Sequence, residues 1–129
     1  MTHTFTTRVY YEDTDLAGIV YYANYLRFIE RARTEWVRSM GIDQTKLRTE
    51  EGVVFAVRRV EADYLAPAKF DDVLTILTQP AGATPARLTL KQDVRRDSAL
   101  IFTAMVTLVA LTDRGAPTRL PVALRPLIR

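Results

Sequence analysis

The sequence contains no cysteine and only one histidine, His3. A chain without cysteine has no disulfides, no thiolate nucleophile and no cysteine-ligated zinc site, and it suits a reducing compartment. We therefore expect a cytoplasmic protein. Because the single histidine lies next to the amino terminus and no Gly-x-Ser-x-Gly motif is present, a serine–histidine–aspartate triad is not expected.

Long apolar runs and concentrated charge are also missing. No window approaches the roughly 20 apolar residues of a membrane helix, and the first residues lack the basic and apolar regions of a secretion signal, so we expect neither a membrane span nor export. The 18 basic and 15 acidic side chains leave a net charge of +3, with the arginines spread along the chain. This pattern does not indicate nucleic-acid binding, but it suits a small polyanionic ligand such as a nucleotide phosphate. A chain of 129 residues predicts one domain, 1–129.

One segment, 10–25, combines carboxylates, a glycine turn and the start of a helix. A strand-like alternation ends at Tyr11, three carboxylates follow, and a turn at Gly18 leads into the helix. A carboxylate close to the first free N–H groups of a helix can attack, or activate water against, a carbonyl whose oxygen those groups stabilise. The segment therefore predicts an active-site loop for acyl transfer or hydrolysis. Its carboxylates are Glu12, Asp13 and Asp15.

Two other interpretations of this loop stay open from the residues alone. Asp15 is also typical of a turn residue before a glycine, because aspartate readily bonds its own backbone. The run Asp13-Thr14-Asp15 has the form of a DxD metal motif. Two carboxylates without further ligand-spaced His, Asp or Glu are a poor cage for a divalent ion, so no metal site is expected.

The spacing of apolar residues predicts one long helix followed by strands. Apolar positions recur three or four apart over 22–40, and Gly41 is the expected stop. Residues 42–52 form a short helix or a loop, with Asp43 as its N-cap. Such an order predicts an α+β hotdog fold, an antiparallel sheet of about five strands wrapped around one long central helix. Strands are predicted at 5–11, 53–65, 72–79, 87–95, 100–112 and 118–124.

The strand at 100–111 is apolar on both faces, whereas the strand at 87–95 alternates. A strand that is apolar on both sides needs cover on both sides, and a single helix covers only one face of a sheet. We therefore expect self-association over the other face.

Three runs near the amino terminus carry a resemblance to a known family. They are VYYEDTD at 9–15, GIVYYANY at 18–25 and ERARTE at 30–35, and ADYLAPA at 62–68 continues the match. These runs resemble the hotdog-fold acyl-CoA thioesterases, in particular the 4-hydroxybenzoyl-CoA thioesterase-like branch, which includes the Tol–Pal-associated acyl-CoA thioesterase type. The resemblance covers nearly the whole chain and is most specific at its amino-terminal end.

The resemblance implies hydrolysis of acyl- or aroyl-CoA without a metal or prosthetic group. It implies a homodimer or homotetramer with active sites in the clefts between subunits. Asp15 matches the family's nucleophile or general base, and Tyr22 matches the residue whose backbone N–H polarises the thioester carbonyl. Many relatives carry histidine where Tyr22 stands; a backbone donor is indifferent to that change, but a proton shuttle through an imidazole is not expected here.

Substrate contacts are expected from one tyrosine and two arginines. Tyr25 is predicted as a wall of the acyl pocket, although aromatic residues at helical spacing also occur as plain core. Arg58 and Arg59 are predicted to contact a CoA phosphate, since the guanidinium fork suits phosphate; the alternative is pairing with Glu61 or Asp63.

The carrier is either CoA or acyl carrier protein. Two other functions remain as alternatives: a hotdog hydratase or dehydratase, which the scarcity of histidine disfavours, and a non-catalytic acyl-thioester binding or scaffold protein.

Overall fold

Five strands form one antiparallel sheet in the computed structural model, which describes residues 2–128. The strands are β1 (His3–Arg8), β2 (Val53–Tyr64), β3 (Val73–Ala83), β4 (Arg87–Arg96) and β5 (Ala99–Thr112). Their order across the sheet is β1-β3-β4-β5-β2. The apolar strand β5 therefore lies inside the sheet, while β1 and β2 are its edges.

The helix α1 runs from Asn24 to Ser39 and buries one face against the sheet. Its buried side chains recur three or four apart, as the amphipathic pattern predicts. No helix within 2–128 is long and apolar enough to cross a membrane. The buried apolar side chains of α1 are Tyr25, Phe28, Ile29, Ala32, Trp36 and Val37.

A short helical segment connects α1 to β2. The helix α2 (Gln44–Lys46) continues directly into a π-helical turn at Leu47–Glu51. The carboxylate of Asp43 accepts from the N–H groups of Thr45 and Lys46 at 3.0 and 3.1 Å. Asp43 is therefore the N-cap that the sequence predicted.

The prediction of a strand at 118–124 is wrong. A 3₁₀ helix occupies Val122–Leu127 instead. Proline has no N–H to donate to a sheet, and Pro121 stands where the predicted strand needs one. Two leucines of 118–124, Leu120 and Leu124, pack into the core, where both are fully buried.

A buried amide links α1 to the sheet. Gln92 on β4 is fully buried, and its Nε2 donates to the carbonyl of Ile29 and to the hydroxyl of Thr78, both at 2.9 Å. Its Oε1 accepts from Arg33 of α1 at 3.0 Å. Burial lowers the pKa of Arg33 from its ordinary value. The oxygen of Gln92 therefore gives a hydrogen-bond acceptor to a guanidinium that is partly removed from water.

The inner face of the sheet, against which α1 packs, is open along β2. The backbone of the helix lies nearest β1 and β3, at the opposite side of the sheet, and the side chain of Tyr25 reaches the end of β2, at Tyr64. Val57 and Val60 are 48% and 39% exposed although they pair with the buried Leu108 and Val106. We call this surface the β2 strip. By register it comprises Phe55, Val57, Val60, Ala62 and Tyr64.

Candidate active site

The carboxylate-rich segment folds into a tight hairpin. Thr14 pairs with Val20, and the N–H of Asp15 donates to the carbonyl of Ile19 at 2.9 Å. The N–H of Gly18 returns to the carbonyl of Asp15 at 2.9 Å, and Gly18 has a φ of +80°. Glycine adopts this left-handed backbone without steric cost, which explains the residue at the turn.

Asp13 connects this hairpin to the start of α1. Its carbonyl accepts from the N–H of Tyr21 and from the side-chain amide of Asn24, both at 2.9 Å. Its Oδ2 accepts from the N–H of Tyr10 at 2.8 Å. The carbonyl and Oδ2 of Asp13 are therefore bonded within the loop, while its Oδ1 has no partner in the described chain.

Asp15 differs from Asp13 in its exposure, because Asp13 is half-buried. The side chain of Asp15 is exposed, and its Oδ1 accepts from the N–H of Ala17 at 2.9 Å. Within residues 2–128, Oδ2 has no hydrogen-bond or ion-pair partner. The turn interpretation of Asp15 is therefore correct for one oxygen, while the other oxygen is free to face a ligand.

The start of α1 leaves three N–H groups without an acceptor in the described chain, those of Tyr22, Ala23 and Tyr25. The N–H of Asn24, by contrast, donates to the carbonyl of Tyr21 at 2.8 Å. Ala23 is the N-cap and has no side chain that could cap the helix. Free N–H groups at the positive end of a helix favour a developing negative charge. The hairpin that carries Asp15 and these donors belong to one hydrogen-bonded unit.

Tyr25 lies in the core behind this unit. It is 3% exposed, and its ring stacks on Phe102 with centroids 5.0 Å apart and planes 10° from parallel. Its hydroxyl accepts from the N–H of Ala68 at 3.1 Å. Burial raises the pKa of Tyr25 above its ordinary value. The structure thus shows the core role of Tyr25, and its role as a pocket wall stays a prediction.

Arg58 and Arg59 lie on the exposed edge strand, at a β-bulge. The register skips Arg58, so that both arginines stand opposite the single residue Thr107. Arg59 pairs with Glu61 through Nε at 3.3 Å, and both side chains are largely exposed. An exposed pair of this kind contributes only about 0–1 kcal/mol, so it leaves Arg59 available to a phosphate.

The sequence analysis missed one contact at the helix start. The hydroxyl of Tyr64, at the end of β2, donates to the carbonyl of Tyr22 at 3.0 Å, and their rings meet edge to face at 6.2 Å. The two residues are 42 positions apart, so no local periodicity signals the contact.

Neither a metal site nor a closed pocket is evident at the hairpin. No group of three or more His, Asp or Glu side chains in the described chain could hold a metal ion. A cavity of about 200 Å³ lies between α1 and the sheet, where it borders Phe55 and Val57 of the β2 strip. It is thus open toward the uncovered edge of the sheet.

Comparison with known proteins agrees with this architecture. Residues 9–126 match the model of the thioesterase-like superfamily. The acyl-CoA thioesterase YbgC of Haemophilus influenzae is 40% identical over 111 residues, which is 86% of this chain and 81% of that protein.

Two solved structures resemble this one over nearly their full length. A probable thioesterase from Bartonella henselae is 38% identical, with a TM-score of 0.90 over 94% of this chain and 100% of that one. An Asp-to-Asn mutant of 4-hydroxybenzoyl-CoA thioesterase, crystallised with 4-hydroxybenzoyl-CoA, has a TM-score of 0.92 at 24% identity and covers 99% of both chains. The last likeness concerns the fold alone. The predicted hotdog-like α+β fold is confirmed, and the chain belongs to the thioesterase-like superfamily.

Proposed function

We propose that this protein hydrolyses acyl-CoA or aroyl-CoA thioesters, with Asp15 as the nucleophile or general base and the N–H of Tyr22 as a donor to the carbonyl oxygen. One observation carries the proposal: a carboxylate oxygen without a partner and helix N–H groups without acceptors belong to the same hydrogen-bonded unit. The relatives support the reaction, because YbgC of Haemophilus influenzae is described as an acyl-CoA thioesterase.

The chemistry follows from these two groups. With the thioester oxygen against the Tyr22 N–H, negative charge that develops on that oxygen meets the positive end of α1. Asp15 then acts in one of two ways. It attacks the carbonyl carbon, expels the CoA thiolate and forms an anhydride that water hydrolyses, or it takes a proton from the water that attacks. Either route yields a carboxylic acid and CoA.

Assembly completes the site in this proposal. The single domain, 1–129, has its sheet wrapped around α1 as the central helix, and the β2 strip leaves an apolar edge for a second copy. A homodimer, or a homotetramer built from it, covers this edge and places each hairpin in a cleft between subunits. A cytoplasmic location belongs to the same proposal, because CoA esters are handled there by proteins that need no disulfide.

Val60→Asp tests the assembly, because it puts a charge on the β2 strip. We expect sedimentation to show monomers and thiol release to fall at least tenfold. Asp97→Asn, at an exposed turn, is the control and keeps the oligomer. A fully active monomer would contradict the proposal that the active site lies in a cleft between subunits.

Arg58 and Arg59 are proposed to bind the phosphates of CoA. Arg58→Ala is expected to raise KM for an acyl-CoA severalfold and to leave KM unchanged for the matching acyl-pantetheine, which has no nucleotide phosphates. Arg114→Ala, another exposed arginine, is the control. Equal KM changes with both substrates would place Arg58 outside the nucleotide site.

A panel of thioesters distinguishes the functions. Thiol release from short, long and aromatic acyl-CoAs, followed with a thiol reagent, supports hydrolysis. Hydration of an enoyl-CoA without thiol release would indicate a hydratase, and binding without reaction would indicate a scaffold. The same acyl groups on acyl carrier protein identify the preferred carrier.

A further inference from the structure

The carbonyl of Tyr22 has an unusual partner for a helix start. No N–H group in the described chain donates to it, and the N–H of Leu26, four residues on, meets the carbonyl of the N-cap Ala23 at 3.2 Å. The donor to Tyr22 is the hydroxyl of Tyr64, at 3.0 Å. A side chain from the sheet thus holds the carbonyl that directly precedes the helix.

The ring of Tyr64 is held in place on several sides. Its centroid lies 5.5 Å from Tyr25, 5.0 Å from Phe102 and 6.2 Å from Tyr22, in edge-to-face contacts. Desolvation raises the pKa of Tyr64, so its hydroxyl keeps the proton that it donates at neutral pH. The hydroxyl is therefore a fixed donor aimed at one peptide group.

This peptide group joins Tyr22 to Ala23. In a planar trans peptide the C=O and the N–H point in opposite directions. A hydrogen bond that fixes the Tyr22 carbonyl therefore also fixes the direction of the Ala23 N–H. The same bond polarises the amide and strengthens its N–H as a donor. The Ala23 N–H has no acceptor in the described chain and stands next to the Tyr22 N–H.

We infer that Tyr64 is a positioning residue, which aims and polarises the Ala23 N–H as a second donor to the thioester oxygen. The inference rests on the proposed function and adds a donor and a supporting side chain to it. Because charge on that oxygen grows in the transition state, the effect falls on kcat more than on KM.

Tyr64→Phe tests the inference, because it removes the hydroxyl and keeps the ring. We expect kcat for an active acyl-CoA to fall about three- to tenfold, the range of one hydrogen bond, with KM within about twofold of the wild-type value. Ser98→Ala is the control: it removes an exposed hydroxyl that has no partner in the described chain and lies outside the 10–25 loop, and kcat is expected to stay unchanged. Urea unfolding of both variants verifies that each is folded.

A spectroscopic measurement separates positioning from packing. Benzoyl-CoA is bound to Asp15→Asn, in which turnover is slow, and the carbonyl stretching band is compared with that in the Asp15→Asn/Tyr64→Phe double variant. We expect the band in the double variant to shift back toward the frequency of free benzoyl-CoA. A packing role alone leaves the band in place.

The outcomes of these experiments are distinct. An unchanged kcat in Tyr64→Phe, or an unmoved carbonyl band, overturns the inference while the proposed function stands. A wild-type protein that releases no thiol, or an Asp15→Asn variant as active as wild type, overturns the proposed function itself.

Discussion

The two parts of α1 differ in how their polar and apolar groups are used. In its middle the Ile29 carbonyl receives an additional bond from the buried amide of Gln92, and in its last turn Trp36 is fully buried. At its start, Tyr22 is exposed, and three N–H groups lack acceptors in the described chain. Because a free polar group at a helix end is costly unless water or a ligand meets it, the start of α1 is suited to binding and the rest to stability. Substitutions should therefore separate rate from stability.

The largest effect on stability is expected in the last turn of α1. Trp36→Ala removes one of the largest fully buried side chains and should lower the free energy of unfolding by about 3–5 kcal/mol. The folded fraction should keep the wild-type kcat, because Trp36 lies far along the helix from the free N–H groups. Urea unfolding and thiol release on the same preparation check both parts. A loss of kcat without a loss of stability would contradict the assignment of Trp36 to stability and of the helix start to binding.

A smaller loss is expected from the buried amide. Gln92→Leu keeps the volume but leaves the Thr78 hydroxyl and the Arg33 guanidinium without this partner. We expect a loss of about 1–3 kcal/mol in urea unfolding. Gln79→Leu, a half-exposed glutamine on β3, serves as control and should change stability by less than about 0.5 kcal/mol. Equal effects of the two variants would contradict the role of Gln92.

The smallest effect is a dependence of stability on alkaline pH. Burial raises the pKa of Tyr25 above its ordinary 10.0, so the folded chain keeps the proton at a pH where the unfolded chain releases it. The contribution to stability is complete below about pH 10 and is lost as the pH rises through the folded pKa. Unfolding followed from pH 8 to 11 should show this decline. Tyr25→Phe should reduce the decline and leave the part due to Tyr64, whose pKa is also raised, whereas Tyr11→Phe should not change it.

The sequence predicted the regular elements of this fold better than its last segment. The helix expected at 22–40 is observed at Asn24–Ser39, and the strand expected at 100–112 is β5. Both carry long apolar periodicities, which depend only on neighbouring residues. The segment 118–124 has no such periodicity, its single proline, Pro121, removes a donor that a strand needs, and its leucines are buried in the core instead.

The position of the site in the 10–25 loop could be predicted from the sequence, but the contacts within the site could not. The pattern of carboxylates before a glycine and a helix indicated the hairpin, but it did not distinguish Asp13 from Asp15. In each residue a backbone N–H occupies one carboxylate oxygen and the other oxygen has no partner in the described chain, so the distinction depends on exposure: Asp13 is half-buried and Asp15 is exposed. Tyr64 and the bulge at Arg58 depend on pairing between strands, which periodicity along one segment does not reveal.

The central claim is that the free carboxylate at the start of α1 performs the chemistry and contributes little to the fold. The most direct measurement is the rate of thiol release by folded Asp15→Ala, with Glu12→Ala, an exposed neighbour in the same loop, as its control. We predict a fall of at least about 10²-fold for Asp15→Ala, with little change in its urea midpoint and none in the rate of the control. A folded Asp15→Ala protein that hydrolyses acyl-CoA at the wild-type rate would contradict the account.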